Sequence, residues 1–361
     1  MHTIKAAICH AFGAPLSIED VHLRGAQAGE VEVALDAVAI CHSDITYADG
    51  GWGGTLPAVY GHEAAGRVRG IGPGVTGLAE GDPVVVTLIR ACGQCAPCAA
   101  GRPTGCETPH DGDHGPLSMP GGGKLHQAMA CGAFAERVTV HHSQVVRIPE
   151  GIDMAAASLL ACGVITGVGA VVNAAHLRAG EDVVVIGAGG VGLNAIQGAR
   201  IAGARRIVAV DMSDGKLATA REFGATDGVL ATGDKPWRAA KQAIGRGADA
   251  VFVTVGAARA YDAAPRYLAG GGRVVMVGMP HSGDESHYEA ANFAAMGQAM
   301  IGSKMGEAVI RRDIPWMVDL YGQGRLKLDE LISNRWPLDR INEAIADTKS
   351  GSARRNVIVF G

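Results

Sequence analysis

The stretch "VVVIGAGGVGLNAIQGA", residues 183–199, carries the pattern that decides the fold of the central part of the chain. A valine-rich run leads into glycines spaced G-x-G-x-x-G, at Gly187, Gly189 and Gly192, and a helix-like segment follows. Further apolar runs, such as "RRIVAVD" and "ADAVFVTVG", alternate with helix-like segments downstream. Because continuous apolar strands alternating with helices are typical of a parallel, doubly wound sheet, the sequence predicts an α/β fold here.

The glycine turn predicts a dinucleotide site at the start of the helix. Gly187 permits the tight turn, Gly189 lets the backbone approach a pyrophosphate, and Gly192 lets helix and strand pack closely. The helix N-terminus offers N–H groups and the positive end of its dipole to the phosphates. Asp211, at the end of the next strand, is expected to accept hydrogen bonds from the ribose hydroxyls. It favours NAD over NADP because a 2′-phosphate would meet its carboxylate, although the nearby Lys216 is also a candidate ribose contact. The alternative is a glycine-rich turn that binds no nucleotide.

A second local pattern is "CGQCAPCAAGRPTGC", with the spacing C-x2-C-x2-C-x7-C at Cys92, Cys95, Cys98 and Cys106. Four thiolates close the tetrahedral sphere of a Zn²⁺ ion, which makes such a site structural. An iron–sulfur motif shares the first spacings but continues with C-x3-C-P. A disulfide framework is disfavoured because no secretory signal precedes the cysteines. The spacing therefore predicts a structural-zinc lobe at about residues 90–108.

The bulk composition narrows the classes of function. The chain has 361 residues, of which 48% are apolar and 19% charged, and its net charge is −4. The absence of a basic stripe argues against nucleic acid or a membrane surface as a partner. The N-terminus has no apolar segment of signal-peptide length and no apolar run is long enough to span a membrane, so we expect a cytoplasmic protein.

The first 150 residues have a different pattern of apolar residues from the central part of the chain. Residues 1–150 contain short valine-rich or alternating segments, such as "EVEVALDAVAI" and "GDPVVVTL", cut by glycine and proline. This pattern predicts a mainly antiparallel, barrel-like β domain. The segment "MAAASLLACGVITGVGAVV", residues 154–172, reads as helical and precedes the alternating region.

Three scattered pieces carry residue types that bind metal. They are Cys41 in "CHSD", His62 in "GHE" and Cys162 in "LLACGVITG". Two cysteines and one histidine leave one tetrahedral position for water or substrate, as in a catalytic zinc site. Because the pieces lie far apart, their spacing also allows Cys41 and Cys162 to be buried small hydrophobes.

Taken in order, "CHSD", "GHEAAGRV", the four-cysteine lobe, "GAGGVGLNAIQGA" and "VAVD" resemble the zinc-dependent medium-chain alcohol dehydrogenase family over essentially the whole chain. The similarity is greatest to the class III branch and to bacterial aryl- or primary-alcohol dehydrogenases. The resemblance implies a GroES-like catalytic domain (1–157), a Rossmann NAD-binding domain (158–303) and a return segment (304–361) that completes the catalytic domain. It also implies a small alcohol or aldehyde as partner, and a homodimer or homotetramer.

The resemblance assigns roles to matching positions. Cys41, His62 and Cys162 would hold the catalytic zinc, Ser43 would hydrogen-bond the substrate oxygen, and Glu63 would lie behind the metal and tune or transiently ligate it. Zinc would polarise the alcohol oxygen while hydride passes to NAD. The implied cofactor contacts are His42, Gly187, Gly189, Gly190, Val191, Gly192, Asp211, Lys216, Val255, Val277 and Arg355, with Arg354 as the rival of Arg355.

Two more assignments concern the residues around the zinc. Asp44 would orient His62 from behind. Many family members place a relay histidine three residues after the substrate-binding serine or threonine, but this chain has Thr46 there. The last proton step therefore falls to Thr46 with a water molecule or to His42.

The sequence departs from the class III pattern where that branch binds the charges of a glutathione adduct. Trp52 stands near the position of an acidic residue, and "ETPH" after Cys106 contains no arginine. Without that cation an anionic adduct loses a charge-assisted partner, which favours uncharged primary alcohols. Trp52, Leu88 and Phe134 match pocket positions, although each alone fits ordinary packing equally well. The alternatives are a thiol-adduct formaldehyde dehydrogenase and a non-catalytic protein that binds zinc and dinucleotide.

Overall fold

The computed structural model describes residues 1–110 and 114–361, which divide into two compact units. The first unit comprises Met1–Cys162, Val309–Gly324 and Leu328–Gly361, and the second comprises Gly163–Ala308 and Arg325–Lys327. The chain therefore leaves the first unit after Cys162 and returns to it at Val309.

Strands and helices are numbered in chain order. The strands are β1 (His2–Cys9), β2 (Ser17–Leu23), β3 (Glu30–Ala39), β4 (Ala58–Val59), β5 (Glu63–Ile71), β6 (Pro83–Val86), β7 (Leu117–Ser118), β8 (His126–Gln127), β9 (Arg137–His141), β10 (Val145–Arg147), β11 (Asp182–Ile186), β12 (Arg206–Asp211), β13 (Asp227–Leu230), β14 (Ala248–Val253), β15 (Leu268–Met276), β16 (Ala299–Gly302), β17 (Ile332–Pro337) and β18 (Arg355–Val359). The α-helices are α1 (His42–Ala48), α2 (Ala96–Ala99), α3 (Met154–Ser158), α4 (Gly163–Gly169), α5 (Gly190–Ile201), α6 (Asp214–Glu222), α7 (Pro236–Ile244), α8 (Ala258–Ala263), α9 (Ala290–Met296), α10 (Ile310–Gly322) and α11 (Ile341–Ser350).

The second unit is built on a parallel sheet with the strand order β13-β12-β11-β14-β15-β16. Its central strand β11, "DVVVI", is buried at every residue. A continuous apolar strand is expected in a parallel sheet, because helices cover both faces. The strand order reverses between β11 and β14, as in a Rossmann fold, so the predicted doubly wound sheet is confirmed.

The first unit is mainly antiparallel. One sheet has the order β7-β2-β1-β4-β8, and the other has the order β10-β6-β5-β3-β18-β17, with β9 also paired to β3. One hydrophobic cluster takes buried side chains from both sheets, for example Ile8 from β1 and Val33 from β3. Strand β18 pairs antiparallel with β3, so residues 355–359 extend a sheet whose other strands come from residues 30–147 and from β17. The predicted barrel-like β domain is confirmed.

The helical run predicted over residues 154–172 is interrupted. A 3₁₀ turn, Leu159–Ala161, follows α3, and Cys162 has φ −146° and ψ −67°, outside the helical region. Helix α4 begins at the next residue, Gly163. The periodicity of apolar residues therefore predicted the helices correctly but not the break at the cysteine.

Among the described residues, no single helix combines the length and apolar character needed to cross a membrane. One bent pair, Met154–Ala161 with Gly163–Ala174, meets that criterion of length and composition only when the two parts are taken together.

Candidate metal centres and dinucleotide site

Strand ends of the first unit bring together four side chains that are far apart in sequence: Cys41, His62, Glu63 and Cys162. Their ligand-forming atoms all lie within 4.8 Å of one another, and all four residues are buried. Cys41 follows β3, His62 and Glu63 lie at the start of β5, and Glu63 lies opposite Ala39 in the β3–β5 ladder. Cys162 joins them from the break after the 3₁₀ turn. This donor set could hold a metal ion.

Asp44 fixes the imidazole of His62. Its carboxylate is 1% exposed and accepts hydrogen bonds from the backbone N–H of Cys41 (3.0 Å), the backbone N–H of Gly61 (2.9 Å) and His62 Nδ1 (2.9 Å). The Nε2 atom of His62 is buried and has no hydrogen-bond partner among the described residues. A buried polar atom without such a partner is costly, and a cation at the cluster would satisfy it.

The electrostatics of the cluster also fit a cation. A hydrogen bond with Cys162 lowers the pKa of Cys41 well below its ordinary value, against the effect of burial. The same hydrogen bond, together with burial, raises the pKa of Cys162. Burial lowers the pKa of His62, but the Asp44 carboxylate outweighs burial and raises it overall. A metal ion binds cysteine in the thiolate form, so an ion at this cluster would favour deprotonation of both thiols.

Arg355 lies beside this cluster. Its side chain is buried, and its guanidinium forms an ion pair with the carboxylate of Glu63. Burial raises the pKa of Glu63 to about 7 although Arg355 opposes that rise. The resemblance implied that Arg355 contacts the cofactor, but its pairing with Glu63 depends on strand register and had no sequence signal. Arg354, its rival, is exposed and donates to the backbone carbonyl of Glu330.

The remaining residues assigned to the catalytic centre lie on or near α1. His42 is exposed and Ser43 is half-buried, both in the first turn of the helix. The Oγ1 atom of Thr46 donates a hydrogen bond to the backbone carbonyl of His42 at 2.9 Å. The hydroxyl proton of Thr46 is thus already engaged within the helix.

The three residues that the resemblance assigned to the substrate pocket differ in their surroundings. Trp52 and Leu88 are half-buried. The ring of Trp52 meets the ring of Tyr47 edge-on, with centroids 5.0 Å apart. Phe134 is 1% exposed and belongs to the main hydrophobic cluster of the first unit, which is the packing role that the sequence left open. Sequence reasoning did not single out Tyr47 as the ring that contacts Trp52.

The four-cysteine lobe forms a second candidate metal centre. The Sγ atoms of Cys92 and Cys98 are 4.0 Å apart, those of Cys95 and Cys106 are 3.9 Å apart, and all four thiols are free. Backbone N–H groups point at the sulfurs: that of Cys92 lies 3.4 Å from Cys106 Sγ, and that of Cys95 lies 3.3 Å from Cys92 Sγ. Helix α2 within the lobe has no buried residue, so apolar packing contributes little there. The four sulfurs could hold a metal ion in a closed shell.

We expect Cys106→Ser to remove one zinc ion per chain and to lower the melting temperature by several degrees, because the lobe would lose its cross-link. Metal analysis and thermal unfolding measure the two effects. Cys9→Ala is the matched control, since Cys9 is buried outside both clusters. Full zinc content in Cys106→Ser, or equal loss in Cys9→Ala, would contradict the assignment.

The glycine turn of the second unit has the geometry that a dinucleotide site needs. Gly187 has φ +96°, a conformation that side-chain-bearing residues rarely adopt. A Cβ on Gly189 would meet nothing within 4 Å, whereas a Cβ on Gly192 would lie 1.8 Å from the carbonyl oxygen of Gly187. Gly190 and Val191 open α5. The turn therefore leaves open space at its second glycine and closes tightly at its third.

The other assigned cofactor residues follow neighbouring strands. Asp211 ends β12 and accepts hydrogen bonds from the backbone N–H groups of Ala188 (2.8 Å) and Ser213 (3.1 Å). Val255 follows β14, Val277 follows β15, and both are half-buried. Lys216, also half-buried, lies in the first turn of α6. These positions share the carboxyl edge of the parallel sheet, where open α/β sheets bind ligands.

The fold and the two clusters define a class of oxidoreductase that joins a GroES-like domain to a Rossmann domain. The family model described as alcohol dehydrogenase GroES-like domain matches residues 27–150, and that described as zinc-binding dehydrogenase matches residues 190–323. The chain belongs to the zinc-dependent medium-chain alcohol dehydrogenase family.

Individual proteins support this placement over the full length. An NDMA-dependent alcohol dehydrogenase of Amycolatopsis methanolica is 35% identical, with 98% of each chain covered. An S-(hydroxymethyl)glutathione dehydrogenase of Paracoccus denitrificans is 32% identical, with 99% of each chain covered. The crystal structure of benzyl alcohol dehydrogenase from Acinetobacter calcoaceticus superposes on this chain with a TM-score of 0.94. The two sequences are 29% identical, and the comparison covers 100% of each chain.

Proposed function

We propose that this chain is a cytoplasmic, NAD-linked zinc enzyme that interconverts free primary alcohols, aliphatic or aromatic, and their aldehydes. The observation that carries the proposal is the buried cluster of two thiols and one imidazole, with His62 Nδ1 held by Asp44 and Nε2 buried without a hydrogen-bond partner among the described residues. Three such protein ligands leave one coordination position for a substrate oxygen, which is the composition of a catalytic zinc site.

Some residues of the site would hold the zinc ion, and others would bind the substrate and carry its proton away. Cys41, His62 and Cys162 would hold the zinc ion, whose Lewis acidity favours loss of the alcohol proton. Ser43, half-buried in the first turn of α1, would hydrogen-bond the substrate oxygen and take its proton outward. The proton would continue through Thr46 with a water molecule, or through His42, on the same helix. NAD, held at the carboxyl edge of the parallel sheet, would accept the hydride.

Two observations support an uncharged substrate. The segment after Cys106 reads "ETPH" and supplies no arginine to a charged adduct. Trp52 instead forms an aromatic pair with Tyr47, which lies in α1. The relationship to a benzyl alcohol dehydrogenase agrees with an aromatic alcohol as one member of the substrate class.

The test supplies zinc-replete protein with aliphatic alcohols, benzylic alcohols or formaldehyde, and measures NADH formation with NAD⁺ as acceptor and, in a separate arm, the consumption of NDMA as an alternative acceptor. The proposal expects turnover of at least one free primary alcohol with NAD⁺. No turnover of any alcohol with either acceptor would overturn it. Turnover with NDMA but not with NAD⁺ would support oxidation of the alcohol and would contradict the proposal that free NAD is the acceptor.

The relationship to S-(hydroxymethyl)glutathione dehydrogenase supports one second candidate, oxidation of a formaldehyde–thiol adduct. The formaldehyde arm of the assay, run with and without glutathione, separates the two. Turnover confined to the mixture with glutathione would favour the second candidate and would require a cation elsewhere to bind the adduct.

The preference for NAD rests on Asp211. Its carboxylate is held by two backbone N–H groups, so it stays fixed at the end of β12. A fixed carboxylate disfavours a 2′-phosphate by like-charge repulsion. We expect Asp211→Ser to weaken NAD binding by about ten-fold or more, because one to two hydrogen bonds to the ribose are lost. The preference for NAD over NADP should also become smaller, because the carboxylate no longer repels a 2′-phosphate. KM values for both cofactors measure this, and an unchanged ratio would contradict it.

We also propose a homodimer or homotetramer. Strand β16 is an edge strand of the parallel sheet. Segments close to it in sequence carry exposed apolar side chains, with Met279 62% exposed and Tyr288 57% exposed. Apolar surface of this kind is typical of association sites. Light scattering on the purified protein measures the mass, and a monomer would contradict this proposal.

A further inference from the structure

Three aromatic rings form a cluster beside α1, although Phe, Trp and Tyr together make up only 4% of the chain. The ring of Tyr47 meets the ring of Trp52 edge-on, with centroids 5.0 Å apart and an angle of 79° between the planes. The ring of Tyr60 lies on another side of Tyr47, with centroids 6.3 Å apart and an angle of 17°. Tyr47 is therefore the ring that links the other two.

Tyr60 anchors this aromatic cluster to the metal centre. Tyr60 is 2% exposed, and its hydroxyl donates a hydrogen bond to the backbone carbonyl of Tyr47 at 3.4 Å. The next residue is Gly61, whose N–H donates to Asp44, and His62 follows. Tyr47 also packs against the main hydrophobic cluster of the first unit. Its ring is thus held by the core and by the segment that supplies a metal ligand.

Trp52, in contrast, lies in a loop that constrains it weakly. The segment "DGGWGGT", residues 49–55, places two glycines on each side of the tryptophan. Gly50 and Gly54 have φ values of +82° and +141°, in the region that side-chain-bearing residues rarely adopt. Glycine loses more conformational entropy on ordering than any other residue, so the backbone of this loop holds the indole at a high entropic cost. The edge-on contact with Tyr47 supplies a restraint from a well-anchored side chain.

The aromatic cluster shares α1 with the proposed substrate-binding serine. Ser43 and Tyr47 are four residues apart in this helix, so their side chains project from the same face, with about 5–6 Å between their Cβ atoms. Side chains of a helix also lean toward its N-terminus, which here is the end that follows Cys41. The ring of an aromatic alcohol bound at Ser43 is long enough to span that distance, whereas a two-carbon alcohol is too short.

We propose that Tyr47 is a positioning residue that holds the indole of Trp52 as one wall of the substrate site, and that this wall selects aromatic alcohols over short aliphatic ones. The inference rests on the proposed function and narrows its substrate class. Aromatic rings attract each other in edge-to-face or offset-stacked arrangements beyond the effect of burial, and an alkyl group gains from burial alone. An indole held in one direction therefore favours an aromatic substrate, and an indole that can turn away favours it less.

The test compares kcat/KM for benzyl alcohol with kcat/KM for ethanol, using zinc-replete protein and whichever acceptor, NAD⁺ or NDMA, supports turnover. We expect the unaltered protein to prefer benzyl alcohol, and Tyr47→Leu to lower the ratio of the two values by about five-fold, a factor typical of one aromatic pair. The loss should appear mainly as a higher KM for benzyl alcohol, because a ring contact binds the ground state and the transition state alike. Tyr47→Phe keeps the ring and should keep the ratio. Zinc content and melting temperature, measured on each variant, are the structural controls.

A double variant shows whether Tyr47 acts through Trp52. Trp52→Leu should lower the ratio at least as much as Tyr47→Leu does. Tyr47→Leu combined with Trp52→Leu should lower it no further than Trp52→Leu alone, because the wall that Tyr47 positions is already gone. Losses that multiply in the double variant would show that Tyr47 acts independently of Trp52, and they would overturn the inference.

The outcomes separate this inference from the proposed function. Turnover of no alcohol by the unaltered protein, with either acceptor, would overturn the proposed function. Turnover with an unchanged ratio in Tyr47→Leu, or a preference of the unaltered protein for ethanol, would overturn the inference and leave the zinc enzyme in place. Where Tyr47→Leu does not fold, Tyr47→Met supplies the same comparison, because methionine adapts to irregular space in a core and has no ring.

Discussion

Replacement of Asp44 by asparagine is expected to empty the catalytic metal site and to destabilise the first unit. The Oδ1 atom of Asp44 accepts from the N–H of Gly61 and from His62 Nδ1, and the Oδ2 atom accepts from the N–H of Cys41. An asparagine can present its oxygen to one side only, and its NH₂ group then faces a backbone N–H or the imidazole N–H. At least one buried donor is left without an acceptor, at a cost of about 1–3 kcal/mol.

The loss of the carboxylate charge adds to this effect. A carboxylate behind a ligating histidine fixes its tautomer and raises its basicity, and its removal typically lowers metal affinity by about 10–100-fold. We therefore expect Asp44→Asn to retain the structural zinc, to lose most of the catalytic zinc and to lower kcat/KM by at least about 100-fold. Zinc content, thermal unfolding and alcohol oxidation measure the three effects.

The control for this variant lies just after the same helix. Asp49 follows the end of α1, is exposed, and pairs with Lys349 on the surface. Exposed ion pairs contribute about 0–1 kcal/mol, so Asp49→Asn should keep both zinc ions and nearly full activity. If Asp44→Asn kept its catalytic zinc and its melting temperature, the role given to Asp44 would be wrong.

The features that the sequence predicted well are local ones. The glycine turn and the four-cysteine lobe are each encoded within one short segment, and the alternation of apolar runs with helices predicted the parallel sheet. In each case the neighbours in space are also neighbours in sequence, or follow from the hydrophobic period. These parts could therefore be predicted from the residues alone.

Non-local features were predicted poorly. The pairing of Arg355 with Glu63 depends on the register of β18 and β5 against β3, and a shift of one residue would send either side chain to the other face. The break at Cys162 has no proline, and the apolar pattern continues through it. The full burial of Phe134 likewise follows from tertiary packing. For the open metal site, the sequence indicated which residue types could bind a metal. The family resemblance was needed to combine them into one set of ligands.

A second large effect is expected from Gly192→Ala. A Cβ at this position would lie 1.8 Å from the carbonyl oxygen of Gly187 and 2.9 Å from Thr254 Oγ1. The same carbonyl accepts a hydrogen bond from Thr254 Oγ1 at 2.8 Å, so it cannot move without breaking that contact. Because the clash is with backbone, helix α5 must shift away from β11. We expect the free energy of unfolding of the second unit to fall by about 3 kcal/mol or more, and NADH binding to be lost.

Gly189→Ala is the matched variant in the same turn. Its Cβ would meet nothing within 4 Å, so the protein itself should keep its melting temperature. The added methyl group would instead occupy the space through which a pyrophosphate approaches the backbone, and NADH binding should weaken. Thermal unfolding and NADH fluorescence titration on both variants separate packing from ligand contact. A Gly189→Ala protein that binds NADH normally would show that the open space at this turn is not where the cofactor lies, whereas a stable Gly192→Ala protein would contradict the close packing of α5 on β11.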